Sequence, residues 1–435
     1  MNRVETFPGA GAPRAAVAAR NPRKQLGAAM IGNVMEYYDF VVYAFLASTL
    51  ARKFFQGDEV AGLLASFAAF GVGFLARPLG GLLIGRLADK RGRRVALQLT
   101  IFGMALGTIG MGLLPTYGSI GILAPILLVG LRLIQGLAAG GEWGSAAAFI
   151  VESAPPSRRG FYGGLGQASI ASASLLSSVV VGIVTYVFTP QQMDDWAWRL
   201  PFLLGSLLLP IGIYMRRNLE ETPAFTEAQA EPAATAQATQ ESALSMMGKS
   251  FGMTIINTVA YYVMLSYMPT FLNKYAGLSA TESLVSNSLA LVVLVITTPF
   301  FGTLSDRIGR KPLLLACCIG FALLSYPLFR VMLGGASIYT IVIIQILFNL
   351  LIAAFSGAGP ATICELFPTR SRTMLLSFSY GLAVAIFGGF APFIATWLID
   401  ATGSPISPVF YLIASAIVSG VVIAAFPETA HQKLK

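Results

Sequence analysis

Ten residues at the end of a long apolar run, GRLADKRGRR from Gly85 to Arg94, return 217 positions later as GTLSDRIGRK from Gly302 to Lys311, again closing an apolar run. Both copies carry Gly in the first place, Asp in the fifth (Asp89 and Asp306), Gly in the eighth (Gly92 and Gly309) and a basic pair at the end. A shorter pattern repeats over a similar interval of about 213 positions: Glu152, Pro155, Arg158 and Arg159, then Glu365, Pro368, Arg370 and Arg372. Repeats at half the length of a 435-residue chain, sited where apolar segments meet water, predict a membrane protein built from two homologous halves.

Composition leaves little room for another class. Hydrophobic residues make up 55% of the chain, charged residues only 11%, and the mean hydropathy is +0.71, too little polar surface for a soluble domain of this size. Apolar runs long enough to cross a bilayer number about twelve, at roughly 27–50, 60–86, 95–115, 119–150, 160–188, 198–216, 248–272, 283–303, 312–333, 337–364, 373–399 and 406–426. Lipid offers no water to unpaired backbone amides, so these runs are expected as helices. The expected fold is an all-α membrane protein, twelve transmembrane helices in two pseudo-symmetric six-helix bundles. The expected division is a tail at 1–26, a bundle at 27–217, a linker at 218–247, a second bundle at 248–427 and a tail at 428–435. The linker is rich in Ala, Thr, Gln, Glu and Pro without an apolar period.

The net charge of +9 is topological rather than a nucleic-acid signal. With both termini cytoplasmic, that side receives Arg3, Arg14, Arg20, Arg23 and Lys24, the two decapeptides, and Arg158, Arg159, Arg216, Arg217, Arg370 and Arg372. The other side keeps Arg52, Lys53, Arg199, Lys274 and Arg330. That is the positive-inside pattern, and the expected location is the bacterial cytoplasmic (inner) membrane, multi-pass, with a monomeric chain surrounded by lipid. The first two dozen residues hold no apolar stretch resembling a cleavable signal, so the first run is expected to act as its own insertion signal. Cys317, Cys318 and Cys364 read as packing residues, with no metal-ligand spacing.

Ionisable groups deep in a span are costly, and five qualify: Glu36 and Asp39 in the first span, Arg77 in the second, Arg132 and Glu142 in the fourth. On a helix Asn33, Glu36, Tyr37, Asp39, Phe40 and Tyr43 share about half the circumference, opposite Val34, Val41 and Val42. In the fourth span Arg132, Gln135, Glu142 and Trp143 share a face, with Glu142 about 15 Å beyond Arg132. Arg132 requires an anion, either a carboxylate of the protein or one of the substrate. Arg77, before Pro78, either binds substrate or meets acids of the first or fourth span. The sole histidine, His431, lies in the tail, so coupled protons would travel on Glu36, Asp39 or Glu142. The second half offers neutral groups, including Asn257, Tyr261, Tyr262, Ser377 and Tyr380. The expected substrate contacts are Asn33, Tyr37, Arg77, Arg132, Gln135, Tyr261, Tyr262, Ser377 and Tyr380.

The decapeptide resembles the loop motif of the major facilitator superfamily. GNVMEYYDFVVYAF, FLARPLGGLLIGRLADKRGRR, GLRLIQGLAAGGEWG and RRNLEETPAF together look like its metabolite:proton symporter branch. SYGLAVAIFGGFAPFIATWLI and YYVMLSYMPTFL are similar to the citrate and tricarballylate carriers of that branch. The resemblance implies a cytoplasmic charge network that breaks when the halves rock, here Asp89, Arg93, Glu152, Arg159, Asp306, Arg310, Glu365 and Arg370. It implies proton-coupled symport of a di- or tricarboxylate, or in the same fold transport of a zwitterionic or neutral solute such as proline, betaine or a shikimate-like molecule. No nucleophile–base pair, metal spacing or phosphate loop points to an enzyme, and no cofactor, metal or catalytic residue is expected.

Overall fold

The computed structural model describes residues 22–91, 93–140, 142–208, 210, 242–369, 371–430, 432 and 434, and among these the regular secondary structure is helical throughout. Arg370 and most of the expected linker lie outside the described residues, as do the side chains of Asp89 and Arg93.

Nine described helices are long and apolar enough to cross a membrane. Three further spans are made of shorter described helices. The first, Pro22–Phe45 followed by Ala47–Phe54, carries Asn33, Glu36 and Asp39 in its middle. The third is the helix Arg93–Leu113, apolar through its described side chains, Leu99–Leu113. The sixth is described as Leu200–Gly205 followed by a 3-10 turn, Ser206–Leu208. With these, the molecule is a twelve-span bundle of two six-helix halves.

Three spans differ from the continuous helices expected. The fourth is split into Leu123–Ala138 and Glu142–Glu152, with a turn at Ala139 and Gly140, so Glu142 and Trp143 do not continue the face of Arg132 and Gln135. The seventh starts at Ala243, earlier than expected, because the Ser242 hydroxyl accepts from the Ser245 amide (3.2 Å) and caps the helix. It runs through a π-helical stretch, Tyr262–Tyr267, before Met268–Tyr275. The eleventh contains a second such stretch, Val384–Gly388, between Arg372–Ala383 and Ala391–Thr402.

The halves meet chiefly along the fifth span (Arg159–Val187) against the eighth (Ala280–Ile308) and tenth (Ile338–Leu366), and along the second (Glu59–Arg91) against the eleventh. Gly160 and Gly302 bring the fifth and eighth spans backbone to backbone, leaving no room for a Cβ on either. On the outside, Leu79, Phe102, Ile296 and Leu323 each stand at least 60% exposed, as side chains facing hydrocarbon rather than water do. Val41 and Val42, opposite the polar arc of the first span, are instead buried against other helices.

Candidate functional site

The deep charges of the first half form two separate clusters. Glu36 pairs with Arg77 at 3.2 Å, both buried. The Arg77 guanidinium lies over the rings of Phe40 (4.2 Å), Phe74 (4.6 Å) and Tyr37 (5.6 Å). Its Nε and Nη2 atoms are buried without a hydrogen-bond partner. One turn along the first span, Asp39 accepts from the Thr108 hydroxyl of the third. Thr108 accepts from Gln135 Nε2 (3.0 Å), and Gln135 Oε1 accepts from Arg132 Nη1 (3.1 Å). Asp39, Thr108, Gln135 and Arg132 are thus one buried chain through the first half.

The anion that Arg132 requires is not a direct neighbour. Its fully buried guanidinium sits over Tyr43 (4.4 Å), Phe40 (4.6 Å) and Phe70 (5.1 Å), with Asp39 reached only through Gln135 and Thr108. Phe40 is shared, lying between the Arg77 and Arg132 clusters. Glu36 and Asp39 do not share a site: the first faces the second span, the second faces the third. Asn33 donates to Ser169 Oγ (3.1 Å), tying the first span to the fifth. Glu142 is half-buried at the start of its own helical segment.

Between the halves a cavity of about 10 Å³ is bounded by Tyr37, Tyr261, Tyr262 and Tyr380, with Gln167, Asn257 and Thr258 as its polar lining. That is room for about one water. A neighbouring cavity of similar size lies toward the repeated-motif end, bordered by Asn33, Trp143, Ala147, Ile150, Gly163 and Pro360. Trp143 stacks on Tyr380, centroids 3.4 Å apart and planes at 12°. Tyr261 turns its hydroxyl to Ser174 (3.2 Å), and Tyr262 packs edge-on to Phe74 (5.1 Å). A Cβ at Gly388, in the π stretch of the eleventh span, would stand 2.8 Å from the Tyr262 ring. Ser377 lies against Gly144 rather than on the cavity wall.

At the motif end each repeated position of the second decapeptide has a structural task. Gly302 admits the fifth span, and Asp306 accepts the amides of Gly160 (2.8 Å) and Phe161 (2.9 Å) across the halves. Gly309 turns the chain at φ +98°, a conformation that suits glycine. Arg310 pairs with Asp306 (2.7 Å) and Glu365 (3.2 Å). Arg372 caps the tenth span through Cys364 O (2.7 Å) and Phe367 O (3.0 Å), and crosses to Glu152 of the other half at 2.6 Å. Arg159 donates to the Gln432 carbonyl (2.8 Å), and Thr429 donates to Glu365 (2.7 Å). Glu428, beyond the last span, accepts the amides of Arg310 and Lys311. Burial alone would raise its carboxyl, but the backbone amides of Ala430, Arg310, Lys311 and Thr429 hold it below the usual range. At the opposite end Lys274 meets Glu59 across the halves at 2.6 Å. Both ends of the interface are therefore closed.

The residues that sequence reasoning missed are Thr108, Gln167, Thr258, Arg372 as the cross-half partner of Glu152, and Glu428. Gln167 and Thr258 carried a signal, being polar side chains inside apolar runs. Thr108 lies in an apolar run likewise, whereas Glu428 carried no signal apart from its neighbours in space.

Residues 25–248 match the family described as sugar (and other) transporter, and residues 250–435 match the major facilitator superfamily. The chain is 34% identical to the putative proline/betaine transporter of Staphylococcus aureus (strain COL), over 96% of this chain and 91% of that protein. It is 35% identical to the proline/betaine transporter of Escherichia coli (strain K12), over 95% of this chain and 85% of that protein. Among solved structures it is similar to a D-xylose–proton symporter, with a TM-score of 0.76 at 18% identity, covering 95% of this chain and 99% of that one.

Proposed function

Since the chain belongs to the major facilitator superfamily and is a secondary transporter of that type, we propose that it carries a small zwitterionic solute together with protons, by alternating access. The observation that carries this reading is the buried Glu36–Arg77 pair, whose guanidinium lies 5.6 Å from the ring of the cavity-lining Tyr37 and whose two formal charges cancel. A di- or tricarboxylate would bring negative charges with no spare cation among the described cavity residues, and each uncompensated buried ion costs several kcal/mol. A zwitterion brings no net charge. The organic acid expected from sequence thus gives way to its alternative, and the proline/betaine relatives point the same way.

Tyr37, Arg77, Tyr261, Tyr262 and Tyr380 are the groups that meet the solute, while Asn33, Gln135 and Ser377 hold helices around it. Asp39 carries the coupling proton, because Thr108, Gln135 and Arg132 link it to the core without exposing it to the solute. Glu36 balances Arg77. Glu152, Arg159, Asp306, Arg310 and Glu365 serve the gate at the motif end, which faces the cytoplasm with both termini. A thermal-shift screen of the purified protein tests the substrate class, since a ligand that binds only the folded state raises apparent stability with concentration. Stabilisation by glycine betaine or proline and not by citrate is expected. Stabilisation by citrate alone would refute the reading.

A further inference from the structure

We propose that the cavity divides a zwitterion between two recognition elements: Arg77 takes its carboxylate, and the faces of Tyr37, Tyr262 and Tyr380 take its ammonium, with a preference for fully methylated nitrogen. The inference rests on the zwitterion reading above and goes further by assigning each end of the ligand to named groups. Arg77 is more than nine-tenths buried, and only part of its fork is used by Glu36. Its Nε and Nη2 remain without partners, an arrangement that costs free energy unless a further acceptor arrives. A carboxylate is the acceptor whose planar geometry matches that fork.

The cationic end meets a different chemistry. The cavity, from which Arg77 is separated by the ring of Tyr37 at 5.6 Å, is walled by tyrosine rings from both halves, and among its described lining residues there is no carboxylate. A primary ammonium left there would have to replace its water with hydrogen bonds from three directions. A trimethylammonium group has no N–H to satisfy, and its diffuse charge is met by aromatic faces. The hydroxyl of Tyr261 is engaged by Ser174, which fixes one ring of the enclosure from behind. Tyr262 begins the π stretch of the seventh span, where the wider turn sets it beside Gly388. The cavity holds only about one water in this closed form, so entry of a solute requires the halves to part. Because Tyr37 comes from the first half and Tyr262 and Tyr380 from the second, that motion opens the enclosure and its reversal closes it around the ligand.

The test compares glycine betaine with 3,3-dimethylbutyrate, the isostere of nearly the same shape in which a neutral carbon replaces the charged nitrogen, by calorimetric titration of the full-length protein in detergent. The expected result is binding of glycine betaine about 30-fold tighter than the isostere, the scale of a desolvated cation–π contact. Tyr262→Leu is expected to narrow that ratio about tenfold, and Tyr262→Phe, which keeps the ring face, to narrow it less. Equal affinity for the two compounds, or a ratio untouched in Tyr262→Leu, would overturn the assignment while leaving zwitterion transport standing. Binding of neither glycine betaine nor proline, with citrate bound instead, would overturn both. If Tyr262→Leu fails to fold, the wild-type ratio decides alone.

Discussion

Arg77 and Arg132 are both buried arginines over aromatic rings, yet they do different work because their polar surroundings differ. Both keep an unpartnered Nε and Nη2, but Arg77 has a carboxylate partner and lies against the cavity-lining Tyr37. Arg132 is sealed behind Phe40, Tyr43 and Phe70 and bonded to an amide. Arg77→Lys keeps the charge but loses the flat fork, so solute affinity should fall by about 1.5–3 kcal/mol, one to two orders of magnitude, in the same titration. An affinity within twofold of wild type would remove Arg77 from the carboxylate site. Asp39→Asn should abolish accumulation driven by a proton gradient while sparing solute counterflow in proteoliposomes, which needs no net proton release. Retained accumulation would move the proton elsewhere. Depth was legible at this scale: Glu36, Asp39, Arg77 and Arg132 stand out as charges in apolar runs, and all four are buried. Their partners were not legible. Whether Asp39 meets Glu36 or Thr108 depends on how the first span is rotated against the third, which helical periodicity within one span does not contain.

The elements that shape the site are the interrupted ones. The fourth span breaks at Ala139 and Gly140, and the seventh and eleventh widen into π turns that meet where Gly388 touches Tyr262. Apolar runs reveal a span's existence and rough length, but an i→i+5 turn has the same composition as an α turn. The spans were therefore readable, and their irregularities were not. The decapeptide is the reverse case. Its repeated Gly, Asp and Arg positions announced a shared task, and in the second copy Asp306, Gly309 and Arg310 show what the task is. Glu152→Gln removes the carboxylate opposite Arg372, which stays capped by Cys364 and Phe367 in its own half. Losing one partner of a buried pair costs about 3–5 kcal/mol, so the motif end should open. A reporter cysteine at Ala147, against a background of buried native thiols, should then label faster with a membrane-impermeant maleimide. Unchanged labelling would show that this pair does not hold the gate.

Across the whole molecule, closure rests on several contacts at the motif end and on an exposed ion pair at the other, which suits a cycle in which each end must open in turn. The Lys274–Glu59 pair stands at one end, and the Asp306, Glu365 and Glu428 contacts at the other. Glu428 has a carboxyl held below its unfolded value, so its contribution is complete above the unfolded pKa and is lost only as pH falls through the lower folded one. Labelling at the motif end should therefore not respond to Glu428 between about pH 6 and 8, and pH dependence of transport in that range belongs to the coupling carboxylate. Loss of that neutral-range dependence in Glu428→Gln would contradict this. The central claim, that a zwitterion and protons move together through the interface of the halves, is tested most directly in proteoliposomes. Labelled glycine betaine should accumulate above its external concentration under an inward proton gradient and collapse to equilibrium with a protonophore. Accumulation of citrate instead, or betaine uptake indifferent to the gradient, would contradict the account.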